Sequence, residues 1–319
     1  MKKIILSVLT LAALAGCSKE ENTGIGTGDD RVAITPSANI ESNVISRAAV
    51  EGTSFAEGTD VFRLSAFEAV TEPTDNWTAT GAEAFENMQV NCAANGTLSL
   101  ATPKYYPPTG ANEKLWFYAY APSGTYTNGN GATKPSVSYT ITGQEDIMTG
   151  EVTNTTGFGG VAKGETQTHP AFAFSHLLKK ITFKVKAGDT FDADAGIQVT
   201  DITVKNVKTS ATLNVVDGTL AFSGDADQSL TLSGSNTAIT AAGASVPGCL
   251  MFEPGETFTV SVTAGGVTYA DATVTLSGTD AGEAGVSHEV TLTFHRSGIV
   301  PAATIVDWTP GDDAGVDIQ

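Results

Sequence analysis

The stretch "ITFKVKA" (residues 181–187) places Ile181, Phe183 and Val185 on one side of an extended chain and Thr182, Lys184 and Lys186 on the other. Successive side chains of a strand point to opposite faces, so this period of two marks a sheet with one face in the core and one in water. The same alternation returns in "TFTVSVTA" (257–264), with Phe258, Val260 and Val262, and in "HEVTLTF" (288–294), with Val290, Leu292 and Phe294. Gly, Asn, Asp and Pro stand between such runs, and helical periodicity is almost absent. Asp217-Gly218 in "LNVVDGTLAF" (213–222) is expected to form a two-residue hairpin turn. Short strands with turn signals at roughly ten-residue spacing predict an all-β chain of antiparallel sandwiches.

With 319 residues the chain is long for one sandwich. Its interior holds one stretch rich in Gly and Thr, "GEVTNTTGFGGVAKGETQTHP" (150–170). Placing the boundary there gives two tandem sandwich domains, residues 48–160 and 165–319. The first residues have a different character. "MKK" followed by "IILSVLTLAALAG" reads as a secretory signal, too short to be retained as a membrane-spanning helix. Leu14-Ala15-Gly16-Cys17 resembles a bacterial lipobox, which makes residues 1–16 the signal peptide and Cys17 the acylated first residue of the mature chain. Several acyl chains on one cysteine anchor a protein stably, at about 0.8 kcal/mol per buried CH₂. The polar "SKEEN" behind it resembles the signal that exports lipoproteins of Bacteroidota to the outer face of the outer membrane.

Without Lys2 and Lys3 the chain carries 15 basic and 35 acidic residues, a net charge near −20. Such a surface repels phosphate backbones and argues against a nucleic-acid partner. Cys92 and Cys249 remain once Cys17 is lipidated, and their separation favours two separate, buried or partly buried thiols over a disulfide. The histidines, His169, His176, His288 and His295, form no H-x-H or H-E-x-x-H spacing, and C-x-x-C is absent, so neither a metal nor another cofactor is expected. No nucleophile elbow or phosphate loop occurs, and 35 carboxylates guarantee chance pairs. The chain is therefore not expected to be an enzyme. Trp77, Trp116 and Trp308 could stack on sugar rings, which would suit a surface glycan-binding lipoprotein that retains its lipid anchor, although tryptophans of sandwich domains ordinarily serve packing.

Residues 17–47 hold one more pattern. In "RVAITPSANIESNVIS" (31–46) the apolar residues Val32, Ile34, Ala38, Ile40 and Val44 are all even-numbered, while Ala33, Thr35, Ser37, Asn39 and Glu41 are odd. This is an amphipathic strand with one apolar stripe, and Pro36 places it at an edge or divides it in two. Directly after it stands Arg47, followed by Ala48 and Ala49. An isolated arginine is ordinarily a solvated charge. Here "VISRAAVEGTSFAEGTDVF" (44–62) resembles the maturation site of the fimbrillin family, the type V pilins of Bacteroidales. "LWFYAYAP", "QEDIMTG", "FAFSHLLKKITFKV", "CLMFEPGE", "HEVTLTFHRSG" and "ATIVDW" continue the resemblance in order along the chain.

The resemblance implies tandem transthyretin-like sandwiches and a structural role in adhesion: a subunit of a cell-surface fimbria, exported as an outer-membrane lipoprotein precursor. It also implies an Arg-specific surface protease that cuts between Arg47 and Ala48. Residues 17–47 would then leave with their lipid, and a strand from another pilin subunit would fill the opened groove. The donor strand of that family is usually C-terminal; here Val306 and Trp308 share one parity, with Val316 and Ile318 near the end. The tail after Trp308 is short for the family.

Overall fold

The computed structural model describes residues 32–40, 54–108, 113–155, 157–159, 169–278, 280–296 and 298–305, and all architectural statements refer to these. They are all-β, with no α-helix and one short 3-10 turn at Ala193–Ala195. The first strands are β1 (Ser37–Ile40), β2 (Gly58–Ala69), β3 (Phe85–Cys92), β4 (Leu98–Leu100), β5 (Lys114–Ala121), β6 (Thr125–Thr127), β7 (Ser136–Thr140), β8 (Met148–Val152) and β9 (Ala171–His176). There follow β10 (Lys179–Ala187), β11 (Gln198–Val207), β12 (Ser210–Asn214), β13 (Thr219–Ser223), β14 (Gln228–Ala238), β15 (Ala244–Phe252), β16 (Thr257–Ala264), β17 (Val267–Thr275), β18 (Ser287–His295) and β19 (Gly298–Ile305).

Two four-stranded sheets, ordered β15-β10-β18-β19 and β14-β11-β16-β17, form the C-terminal sandwich. Its interior comes from the alternating residues: Ile181, Phe183, Val185, Val290, Leu292 and Phe294 from one sheet meet Ile202, Val204, Val260 and Val262 from the other, all buried. β10 and β18 run parallel, which an antiparallel sandwich does not require. A parallel pair needs a long crossover, and the hundred or so residues between these strands supply it by building the whole facing sheet.

A seven-stranded sheet, ordered β1-β9-β8-β5-β2-β3-β4, encloses a second core. The even-numbered Phe62, Leu64 and Ala66 of β2 belong to that core, whereas Ser65 faces the other way and bonds Tyr126. A fourth sheet, β13-β12-β7-β6, joins strands from both halves of the chain. β9 likewise lies beyond residue 165 yet belongs to the seven-stranded sheet, so strands from either side of residues 160–165 share sheets. Cys92 and Cys249 are both buried, one in each core, and no disulfide joins them.

The β12–β13 hairpin turns over four residues rather than two, because its last ladder pair is Asn214↔Thr219. Asn214 Oδ1 accepts from the N–H groups of Val216 (3.0 Å) and Asp217 (3.1 Å), and Gly218 completes the loop at φ 65°. The side chain of Asn214 thus replaces a tight backbone turn with an Asx turn.

Lys179 is 1% exposed, with Nζ donating to the Gly255 carbonyl and lying 4.6 Å and 5.2 Å from the ring centres of Phe252 and Phe258. Burial lowers its pKa to about 8. His288, whose Nε2 accepts from the Gly282 N–H at 3.2 Å, is pushed down to about 4 by burial and then by the Lys179 charge. Between pH 8 and the ordinary lysine value the unfolded chain holds a proton that the folded chain sheds, so this site gains stability as pH rises through that window. Lys179→Met is expected to raise stability by about 1–3 kcal/mol at neutral pH. The advantage over wild type should shrink toward pH 10, as read from urea midpoints at the two pH values.

Candidate functional site

Residues 32–40 lie along the open side of the seven-stranded sheet in two pieces separated at Pro36. The first pairs with residues 104–106: Ile34 N–H donates to the Lys104 carbonyl at 2.8 Å, and Tyr106 N–H donates to the Val32 carbonyl at 3.0 Å. The second, β1, pairs in parallel with β9, from Ser37↔Ala171 to Ile40↔Phe174. Ser37 N–H donates to the Pro170 carbonyl at 2.9 Å. Proline has no N–H to give to a ladder, and the chain changes partner there.

The side chains keep strict parity. Ile34, Pro36 and Ile40 are buried and Val32 and Ala38 half-buried, whereas Ala33, Thr35, Ser37 and Asn39 are exposed. Beneath the segment lies an aromatic floor. Phe55 meets Phe174 edge-on at 5.0 Å, Phe62 lies 5.1 Å from Phe174 and 5.2 Å from Phe55, and Phe172 lies 6.2 Å from Phe62. The parallel register sets Ala38 beside Phe172 and Ile40 beside Phe174. Burial of each large aliphatic side chain here contributes about 1.5–3 kcal/mol before ordering costs.

On its other side the segment borders a cleft of about 560 Å³, lined by Thr35–Ala38, Gly96, Thr97, Leu98, Asn154 and His169. His169 Nδ1 lies 3.4 Å from the Thr35 N–H nitrogen and 3.1 Å from Tyr106 Oη. Asn154 holds the His169 carbonyl at 2.7 Å. Burial lowers the His169 pKa and raises that of Tyr106, so both are neutral near pH 7. The aromatic floor and His169 escaped the sequence reading; the alternation in "AFAF" (171–174) was the available signal for Phe172 and Phe174.

Of the other predicted positions, Cys17, Val44, Arg47, Ala48, Val306, Trp308, Val316 and Ile318 lie outside the described residues. Trp77 is 1% exposed and packs edge-on against Phe67 and Tyr118, so it offers no face to a sugar. Trp116 is half-buried, and its Nε1–H donates to the Ala69 carbonyl at 3.1 Å. No group of three or more His, Cys, Asp or Glu positioned to hold a metal occurs among the described residues.

The described residues thus build two β-sheet cores, one of them bordered by a parallel edge strand from the N-terminal part of the chain. The chain belongs to the fimbrillin-like family, whose profile matches residues 46–308. It is 28% identical over 325 residues to "Putative fimbrium subunit Fim1C" of Bacteroides uniformis, covering 99% of this chain and 98% of that one. The fold is similar to that of a solved "putative cell adhesion protein" from Bacteroides uniformis (TM-score 0.59, 20% identity, 89% of this chain and 100% of that chain). It also resembles a fimbrial protein from Bacteroides vulgatus (TM-score 0.57, 15% identity, 86% and 100%).

A carboxylate on the inward face would be buried without a partner, whereas one on the outward face meets water. Ile40→Asp should therefore raise the rate at which a broad-specificity protease cuts within residues 32–40 by at least about tenfold. Ala33→Asp should leave that rate near the wild-type value.

Proposed function

We propose that this chain is the precursor of a subunit of a cell-surface fimbria, exported as an outer-membrane lipoprotein through Cys17 and assembled by strand exchange after cleavage between Arg47 and Ala48. The observation that carries this reading is the seating of residues 32–40. Their second piece, β1, is a parallel edge strand that no tight turn ties to its partner, and together the nine residues lie over a floor of four phenylalanines. Removal of residues 1–47 would bare the outer edge of β9 and that floor together. Exposed edges of this kind accept another chain's strand.

Cleavage would also separate the body from its lipid. Residues 1–47 carry five basic and five acidic groups, so the released body keeps a net charge near −18 and its solubility. The incoming strand would come from another pilin subunit, with Val306, Trp308, Val316 and Ile318 as the apolar side chains this chain could itself donate. The reading assigns the chain no catalytic role; its partners are other subunits, the Arg-specific protease and, before cleavage, the outer membrane.

The purified precursor, treated with an Arg-specific protease, is expected to begin at Ala48 and to form higher-mass species in light scattering, alone or with partner subunits. Arg47→Ala should remain uncut at that bond and monomeric. Assembly to the same extent by Arg47→Ala, or trimmed wild type that never assembles with any partner subunit, would sink the proposal.

A further inference from the structure

The seat of residues 32–40 is apolar along its floor, yet one titratable side chain reaches the segment's backbone. His169 stands immediately before β9, where Pro170 and Ala171 begin pairing with the second piece of the segment. Its Nδ1 faces the N–H of Thr35, beside the break at Pro36, and its carbonyl is tied down by Asn154. Pro36 has no N–H, so Thr35 carries the one backbone donor between the two paired pieces, and that donor goes to His169. A backbone N–H can only donate, so this contact requires Nδ1 to accept, with the ring proton on Nε2.

The geometry points to His169 as a pH-responsive catch: the neutral ring holds the middle of residues 32–40 in place, and protonation of Nδ1 loosens the segment while the sheet behind it stays folded. This rests on the reading of residues 32–40 as a removable strand and adds what governs their release. Once protonated, Nδ1 carries a hydrogen that can turn to Tyr106 Oη, and the Thr35 N–H then faces another N–H. Among the described residues, the groups packed around the ring do not offset that change. Residues 32–40 carry no charged side chain, Gly96, Thr97, Leu98 and Asn154 are neutral, and Lys104 directs its Nζ over the Phe85 ring at 5.5 Å. Tyr106 stays protonated throughout, since burial raises its pKa. Because burial lowers the His169 pKa, the catch is fully closed above the ordinary histidine range and opens as pH falls through the depressed value. The cleft lined by Thr35–Ala38 gives the loosened backbone open space beside it.

Amide hydrogen exchange on the intact precursor tests this without protease or partner, so its outcome is independent of whether Arg47 is cut or subunits assemble. Exchange of a peptide spanning residues 32–40 is measured at about pH 7.5 and about pH 4.5 and corrected for intrinsic rates. Protection is expected to fall about fivefold or more at the lower pH, the effect of one lost hydrogen bond, while a peptide from β5, an inner strand of the same sheet without a histidine, stays unchanged. His169→Asn, whose Oδ1 can accept from Thr35 but cannot be protonated, should keep protection at both pH values. His169→Leu should show weakened protection at both. The proposal is overturned if wild type shows no pH effect, if β5 loosens in step, if His169→Asn loses protection in parallel with wild type, or if His169→Leu matches wild type at the higher pH.

Discussion

An inner strand of a sheet must satisfy two rows of backbone hydrogen-bonding groups, and β9 meets one of them only by borrowing a segment from the far N-terminal end. Toward β8 its partners lie some twenty residues away in sequence. Toward the open side they are residues 37–40, more than 130 positions earlier. Beneath that side Phe55, Phe62, Phe172 and Phe174 are buried in one apolar cluster with Ile34 and Ile40, and Pro36 between these two is buried as well. Backbone pairing and floor burial therefore depend on the same nine residues. The ladder of the seven-stranded sheet from β9 to β4 does not run through them.

Those nine residues were legible because parity is a local property. Val32, Ile34, Ala38 and Ile40 share one face in the sequence and point inward in the structure, and the break at Pro36 follows from its missing N–H. Strands β10, β16 and β18 were readable for the same reason, each carrying a complete two-residue alternation. What they pair with was not readable. Nothing in "ITFKVKA" states that its neighbour is a parallel "HEVTLTF" a hundred residues on, nor that β9 crosses to the first sheet. Pairing depends on which apolar faces find each other in three dimensions, and a short strand carries little information on that.

The site was legible in outline and opaque in chemistry. A lone histidine before a strand gives no sign that its ring will meet the backbone of residue 35, because that contact spans 134 positions. The tryptophans illustrate the opposite case. Trp77 looked available for ligand stacking by type alone, and burial against Phe67 and Tyr118 removes it. The hairpin at residues 215–218 shows how one side chain can override a dipeptide signal: Asp217-Gly218 turns the chain, and Asn214 sets where the turn begins.

The parallel alignment of β1 with β9 has a mechanical meaning. The hydrogen bonds between them lie across the strand, so a tug along its axis strains the whole row at once. A tug directed away from the sheet opens the bonds singly, beginning at an end. The seat therefore resists lengthwise tension better than lifting, and the change of partner at Pro36 divides the bonds that share the lengthwise load into two sets. Any chain that came to lie along β9 in the same manner would inherit this anisotropy, strong along the strand and weak across it.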